Sequence, residues 1–440
     1  MAKRAGKLHG LLHGQQRALS LLFEQQGERE DRPPNERHLA HAARGTEHAL
    51  RGLQIDLPGA TMTKNATISA LPRIASDPFE ALLDEHLEAW THSEREVCAS
   101  GATRLSVATV HSIRSSRVLA APIPKSLGGM GADLFATARA VRRVARSAPS
   151  TALCLSMPLG NAANTRLPDD AVPLVLRGAL ARGRAFIADK TLAGEILAVA
   201  NSEPGAGGDI ANTRTRAVRD GGRVRLTGQK SFATLGPDAD YFLCSARTED
   251  GLLDAFFVSR TEAGVRLADD WDPLGMRATA SVGLTLDGAL AAATFVYPGA
   301  IVGVNARHWS TLLMASVFVG IGDGALAAAV ECAPRSSEWA RSTLSECALS
   351  LDAASGFIDA VAREESTPCT PQHAERCRRA KSFAARTAVE VSARCMMIAG
   401  GRAYRAEHTL ARALLDAAAG PLLRPPLAQA MDSLAAQLLD

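Results

Sequence analysis

Two periods alternate along this chain of 440 residues. Leu82, Leu83, His86, Leu87 and Trp90 recur at the spacing of one helix face, so His86 reads as a packed helix histidine. Asp77-Pro78-Phe79-Glu80 supplies the start of that helix: a capping side chain, Pro at the first position and Glu in the first turn. The same period returns over residues 134–146, where Arg139, Arg142, Arg143 and Arg146 form a polar side expected to face solvent. Further helices are expected at 149–163 and 169–182. From about Arg184 to Pro298 the period falls to two, with strands predicted at 186–189, 223–226, 241–246, 255–259, 264–267 and 282–286. From Ile301 the pattern is again helical and rich in Ala and Leu, broken by the charged, Pro-containing stretch 364–371.

These blocks predict an α+β chain. An N-terminal helical domain (73–184) precedes a middle antiparallel β-barrel or sandwich (185–300) and a C-terminal helical, four-helix-bundle-like domain (301–440). Residues 1–72 stand apart as a poorly ordered extension or a start set too far upstream, with Met62 as the natural start. Residues 1–61 carry five of the eleven histidines, and nine Lys and Arg against seven Asp and Glu. His9 and His13 lie one helical turn apart there, but no third ligand accompanies them and a solvated tail is the reading adopted.

Composition narrows the function. Aromatic residues make up 4% of the chain, so the core must rest on Ala, Leu and Val, which suits helix-on-helix packing. A net charge of +3 is too small to point to nucleic acid. No run was expected to reach the roughly 18 apolar residues of a membrane span. Eight scattered cysteines without Cys-x-x-Cys or Cys/His ligand spacing read as reduced structural thiols in a cytoplasmic protein, with no metal site.

The chemistry concentrates in residues 199–236. Ser202-Glu203-Pro204-Gly205-Ala206-Gly207-Gly208-Asp209 is a turn-forming run that lets backbone approach a ligand closely. Gly221-Gly222 reads as a hairpin turn into a strand that ends near Phe232 and Thr234. Residues two apart on a strand share a face, which puts a flat ring beside a hydroxyl, a seat for a planar heteroaromatic cofactor.

The chain resembles the acyl-CoA dehydrogenases. The 202–209 run resembles their (T/S)EPGAGSD loop, residues 227–236 resemble the strand ending NG-K-WITNG, and Leu274-Gly275-Met276-Arg277 matches LGMR. Upstream, residues 121–133 resemble P-P-E-Y-G-G-x-G; downstream, Met397-Ile398-Ala399-Gly400-Gly401 with Tyr404 resembles QI-x-GG-x-G-(Y/F). The resemblance covers roughly residues 77–440 and implies the family's helical, β, helical architecture. It implies a flavin, FAD or alternatively FMN, between the β-domain and the C-terminal helices. Ser202, Phe232 and Thr234 would contact its ring, with Gly208, Gly400 and Gly401 completing the site. Phe232 as a core aromatic and Gly400-Gly401 as a plain helix-terminating pair are the alternatives. It also implies a homodimer or homotetramer, with the small residues Ala384, Ala385, Ala388, Val391 and Ser392 suited to close helix packing.

Four departures matter. Gly208 stands where the family has Ser, and Phe232 where it has Trp. No R-x-x-F-G segment for the cofactor pyrophosphate is found. Aligned on Asp416, the family's catalytic Glu is replaced by Arg424, a group that stays protonated and cannot act as a base. On the earlier helix used by some members, the chain offers Ser310 and Thr311, with His308 a weak candidate base or simply a surface or packed histidine.

The leading expectation is therefore a flavin oxidoreductase acting on the CH–CH group of an acyl thioester, carried by CoA or an acyl carrier protein. Its electrons would pass to an acceptor flavoprotein. A flavin monooxygenase on the same fold, served by a flavin reductase, is the alternative, because oxygen transfer needs no such base. A flavin- or acyl-binding protein without turnover is the third.

Overall fold

The structure is a computed structural model that describes residues 78–295 and 307–439. The N-terminal stretch with His9, His13 and Met62, the Asp77 cap and the helix onset expected at Ile301 lie outside the described residues.

Helices α1 (Pro78–Ser100), α2 (Val107–Ser115), α3 (Leu134–Ala145), α4 (Pro149–Ala162) and α5 (Arg177–Leu192) precede the sheet. Helices α6 (Arg307–Cys332), α7 (Glu338–Arg363), α8 (Pro371–Ala399), α9 (Thr409–Ala417) and α10 (Leu427–Leu439) follow it. Capping explains several starts. The Asp133 and Ser337 side chains accept backbone N–H groups of the first turns of α3 and α7. Buried Glu94, reaching across from α1, accepts from Ser150 N and Thr151 N at 2.8 Å each and so caps α4 from outside.

Helix α6 is the axis of the helical core, packed on α3, α4, α7, α8 and α9. Its span His308–Cys332 has the length and hydropathy of a membrane-crossing helix, contrary to expectation, but 67% of its most apolar window is buried among the other helices. Close approach to α3 depends on two glycines. A Cβ on Gly320 would lie 2.4 Å from Arg142 O, and one on Gly324 2.3 Å from Arg146 O.

The arginine side of α3 is not the solvated face expected. Arg142 pairs with Asp323 of α6 through Nε and Nη2 at 2.6 and 3.0 Å, and Arg139 with Asp359 of α7 at 3.4 Å. Both arginines are buried, because α3 lies between α1 and the C-terminal helices and every side of it meets protein. The small residues of α8 are likewise spent inside this chain: Ala384, Ala385, Ala388, Val391 and Ser392 are all buried, α8 being packed along α6.

The strand predicted at 186–189 is helical. It lies within α5, which also runs across the boundary expected at residue 184, while 169–176 forms short 3-10 turns. The sheet begins at β1 (Leu197–Val199) and continues with β2 (Arg216–Asp220), β3 (Arg223–Ala233), β4 (Tyr241–Arg247) and β5 (Leu253–Ser259). Strands β6 (Val265–Leu267), β7 (Val282–Leu290) and β8 (Ala293–Phe295) complete it. The order is β6-β7-β3-β2-β4-β5-β8, with β1 beside the start of β4. Most pairings are antiparallel, as expected for strands joined by tight turns such as Gly221-Gly222. The sheet is nevertheless mixed, since β4 pairs in parallel with β1 at its start and with β2 at its end.

Candidate functional site

The 202–209 loop is fixed to the sheet by a buried ion pair. Glu203 accepts from Lys230 Nζ at 2.6 Å, Arg214 N at 2.6 Å, Thr215 N at 3.1 Å and Thr215 Oγ1 at 2.6 Å. Burial pushes the Glu203 carboxyl up, but the hydrogen bonds from Lys230, Thr215 and Arg214 outweigh it and hold it below its usual range. Lys230 projects from β3 into the interior and also reaches Ser245 O at 2.5 Å. With the loop so held, Ser231 N donates to Ser202 O at 2.8 Å. Gly205, Gly207 and Gly208 take φ of 74°, 64° and 82°, which explains the glycine content of the turn.

Strand β3 ends irregularly. Its pairing with β7 shifts register between Lys230 and Ala233, and Phe232 takes φ of 61°. The bulge breaks the alternation, so Phe232 and Thr234 do not share the face expected of residues two apart on a strand. Phe232 is 61% exposed and meets Trp271 edge to face at 6.4 Å between centroids. Thr234 is buried, its Oγ1 2.9 Å from Ser281 Oγ, which lies 2.9 Å from Thr279 Oγ1.

The segment after α9 closes on the loop from the other side. Arg424 donates to Ser202 Oγ from Nε at 3.1 Å and from Nη2 at 3.0 Å. A Cβ on Gly208 would lie 2.9 Å from Pro426 Cδ, so the Ser of the (T/S)EPGAGSD motif would have to displace that proline. Buried Lys381 of α8 holds the segment in place, donating to Gly420 O, Leu423 O and Pro425 O at 2.9, 2.5 and 2.8 Å. Burial pulls its pKa down to about 8. Asp416 at the end of α9 accepts from Met276 N at 2.5 Å, and a Cβ on Gly275 would strike Leu415 O at 2.2 Å. The 274–277 turn is thus a docking joint between sheet and helices, which accounts for its glycine. Trp271 and Lys381 were missed in the sequence, and Glu203, Lys230 and Asp416, though within or beside its motifs, were given no structural role there. A lysine among the alanines of α8 was the available signal for Lys381.

Comparison with known proteins gives the family. Residues 198–289 match the model "Acyl-CoA dehydrogenase, middle domain", and residues 312–422 match "Acyl-CoA dehydrogenase, C-terminal domain". The amino sugar nitrososynthase RubN8 of Streptomyces rubradiris is 30% identical over 371 residues, covering 76% of this chain and 83% of its own. The chain belongs to the acyl-CoA dehydrogenase family. Among solved members of this fold, KijD3 in complex with FMN and dTDP-3-amino-2,3,6-trideoxy-4-keto-3-methyl-D-glucose superposes with a TM-score of 0.69. It is 25% identical and is covered over 95% of its length, against 83% of this chain. Butyryl-CoA dehydrogenase from Megasphaera elsdenii, 21% identical, shares the fold with a TM-score of 0.71 over 82% of this chain and 97% of its own.

Among the described residues, none of Arg424, Ser310 and His308 is placed to act as the base that the acyl-CoA dehydrogenase motif leads one to expect. Arg424 is bonded to Ser202 and is a cation. Ser310 packs on α4 where the helices nearly touch: a Cβ on Gly160 would lie 2.1 Å from Ser310 Oγ. His308 is buried, and neither ring nitrogen has a hydrogen-bond partner. Burial, then neighbouring His373, pulls its pKa to about 3, so it is a packed neutral imidazole and not a surface histidine or a base poised near neutrality. Gly400 and Gly401 end α8 and are exposed, with nothing of this chain near an added Cβ.

The residues present fit a flavin. The exposed Phe232 ring beside Trp271 offers a flat apolar face, next to a loop whose positive-φ glycines present backbone rather than side chains. The Ser202, Thr234 and Ser281 hydroxyls supply polar groups around it.

Proposed function

We propose that this protein is a flavin-dependent monooxygenase that oxidises an amine nitrogen, working with a separate flavin reductase. The observation that carries the reading is Arg424 at the base position, bonded through two N–H groups to Ser202. Removal of an α-proton from an acyl thioester requires a base within reach. Oxygen transfer to an amine does not, because the nitrogen lone pair is the nucleophile. The likeness to RubN8 and to KijD3 with its amino-sugar nucleotide supports the same reading.

Bound reduced flavin supplies two electrons, so that one atom of O2 goes to nitrogen and the other leaves as water. Phe232 and Trp271 would hold the flavin ring, and Thr234, fixed by Ser281, would offer it a hydroxyl. Arg424 can only donate, so Ser202 Oγ accepts from it and its O–H points away from the guanidinium. The residue thereby presents a fixed donor beside the cofactor seat. FMN is favoured over FAD by the missing R-x-x-F-G segment, and extraction of the bound flavin distinguishes the two. The assembly is a homodimer or homotetramer, measurable by light scattering.

The test exposes flavin-loaded protein to two regimes. Anaerobic butyryl- to octanoyl-CoA should leave the yellow protein unbleached. A flavin reductase with NADH, O2 and a dTDP-amino sugar should give an N-oxygenated product carrying label from 18O2. Bleaching by acyl-CoA at rates typical of dehydrogenases overturns the proposal in favour of thioester oxidation. A flavin-loaded protein inert in both regimes leaves a binding role.

A further inference from the structure

Where α6 and α8 begin, three side chains able to bind a metal converge. His308, Cys369 and His373 bring one ligand atom each to within 4.8 Å of one another. Cys369 and His373 are four apart across the start of α8, a Cys/His spacing that the sequence reading passed over. We infer that this cluster is a zinc site, with Cys369 Sγ, His373 Nδ1 and one His308 nitrogen as ligands and a fourth position for water.

Two independent observations point to it. His308 is 5% exposed, and both its nitrogens lack any hydrogen-bond partner. Buried polar groups are almost always satisfied, so an orphaned imidazole facing a thiol and a second imidazole is the arrangement a cation would complete. The second is the state of His373. Its Nε2 lies 3.0 Å from Val361 O. A carbonyl only accepts, so Nε2 carries the proton and Nδ1 keeps a lone pair. A ligating histidine is oriented in this way by an outer carbonyl. That Nδ1 lies 3.8 Å from Cys369 Sγ. Bonds of about 2.3 Å to sulfur and about 2.0 Å to nitrogen at tetrahedral angles put two such atoms about 3.5 Å apart.

One thiolate and two imidazoles form a borderline-soft donor set that suits Zn2+ and is poor for Mg2+ or Ca2+. The ion would tie the first turn of α6 to the turn between α7 and α8, close to where Trp309 Nε1 donates to Glu365 Oε1 at 2.8 Å. It would therefore act on the stability of the helical core, independently of the flavin reading.

The full chain, stripped by chelator and dialysed against micromolar Zn2+, should retain one equivalent by elemental analysis. Substitution with Co2+ should give a thiolate-to-cobalt charge-transfer band. Cys369→Ser should abolish that band and weaken metal binding by more than the roughly 10–100-fold that loss of a supporting contact costs. Flavin uptake should be unchanged. A wild-type chain that stays metal-free, or binds Co2+ without the band, overturns the inference. So does a folded Cys369→Ser protein that holds zinc as tightly. Should that variant fail to fold, the cobalt spectrum of the wild-type protein decides alone.

Discussion

Arg424 and Ser202 meet across the candidate cofactor seat, with Nε and Nη2 of one guanidinium 3.1 and 3.0 Å from one hydroxyl oxygen. The contact joins two segments 222 residues apart in sequence. It places a permanent cation against the hydroxyl of the glycine-rich loop. Because Lys381 pins the backbone on both sides of Arg424, the position is held from behind as well as in front.

Arg424→Glu is expected to restore a carboxylate at the base position. If dehydrogenation of acyl thioesters was lost through this one residue, dye-linked oxidation of octanoyl-CoA should rise from background by up to the ~10²–10⁴-fold a general base supplies. Oxidation of the amine should fall in the same variant. An unchanged acyl-CoA rate shows that the thioester pocket itself has gone.

Ser202→Ala removes the acceptor of two charge-assisted hydrogen bonds and the donor they orient. A loss of about 1.5–3 kcal/mol is expected for an acceptor bound to a charged group, read as a shift in the denaturant midpoint. The kcat for amine oxidation should fall, while flavin affinity, set mainly by the aromatic face, should change less.

Phe232 sits at φ of 61°, a conformation that favours Gly. Phe232→Gly should relax the backbone but remove the ring that faces the cofactor. The expected result is retained or raised melting temperature with weakened flavin binding, measured by fluorescence titration. Thr234→Val, which breaks the 2.9 Å contact to Ser281, should weaken flavin retention through the lost hydroxyl network.

Burial pushes Asp416 up to about 7, over the opposing hydrogen bond from Met276 N. Its folded pKa thus lies above the unfolded value of 3.8. The folded state binds the extra proton between these values, so this group favours folding most below about pH 4. That contribution is lost as the pH rises through about 7. Asp416→Asn should flatten the fall in stability over that window, which is at most about 1.4 kcal/mol per pH unit for one proton. Urea denaturation at pH 5 and pH 8 provides the comparison.

Gly320→Ala and Gly324→Ala each thrust a methyl at a backbone oxygen, Arg142 O in α3 and Arg146 O at its C-cap, which cannot move aside as a side chain can. Each should destabilise by about 1–3 kcal/mol, the usual range for overpacking. Gly356→Ala on α7, where an added Cβ meets nothing, should be neutral or slightly stabilising in the same melt.

The sequence by itself determined the order of helical and β blocks, the glycine-rich loop, the hairpin at Gly221-Gly222 and the presence of a permanent cation at Arg424. Each is written in neighbours two to eight residues apart, where periodicity, turn chemistry and side-chain charge act locally. What only the tertiary structure decided depends on partners far along the chain. Arg142 finds Asp323 at a separation of 181 residues, and Met276 finds Asp416 at 140. A charged residue on a helix face looks the same in sequence whether it meets water or an aspartate from another helix. The helical path of residues 186–189 and the outward turn of Phe232 belong to the same class. In the second, a register shift against β7 overrode the two-residue alternation that had placed the ring beside Thr234. His308 was legible as a residue and illegible as an environment, since its burial and its neighbours Cys369 and His373 arise only when α6 and α8 start side by side.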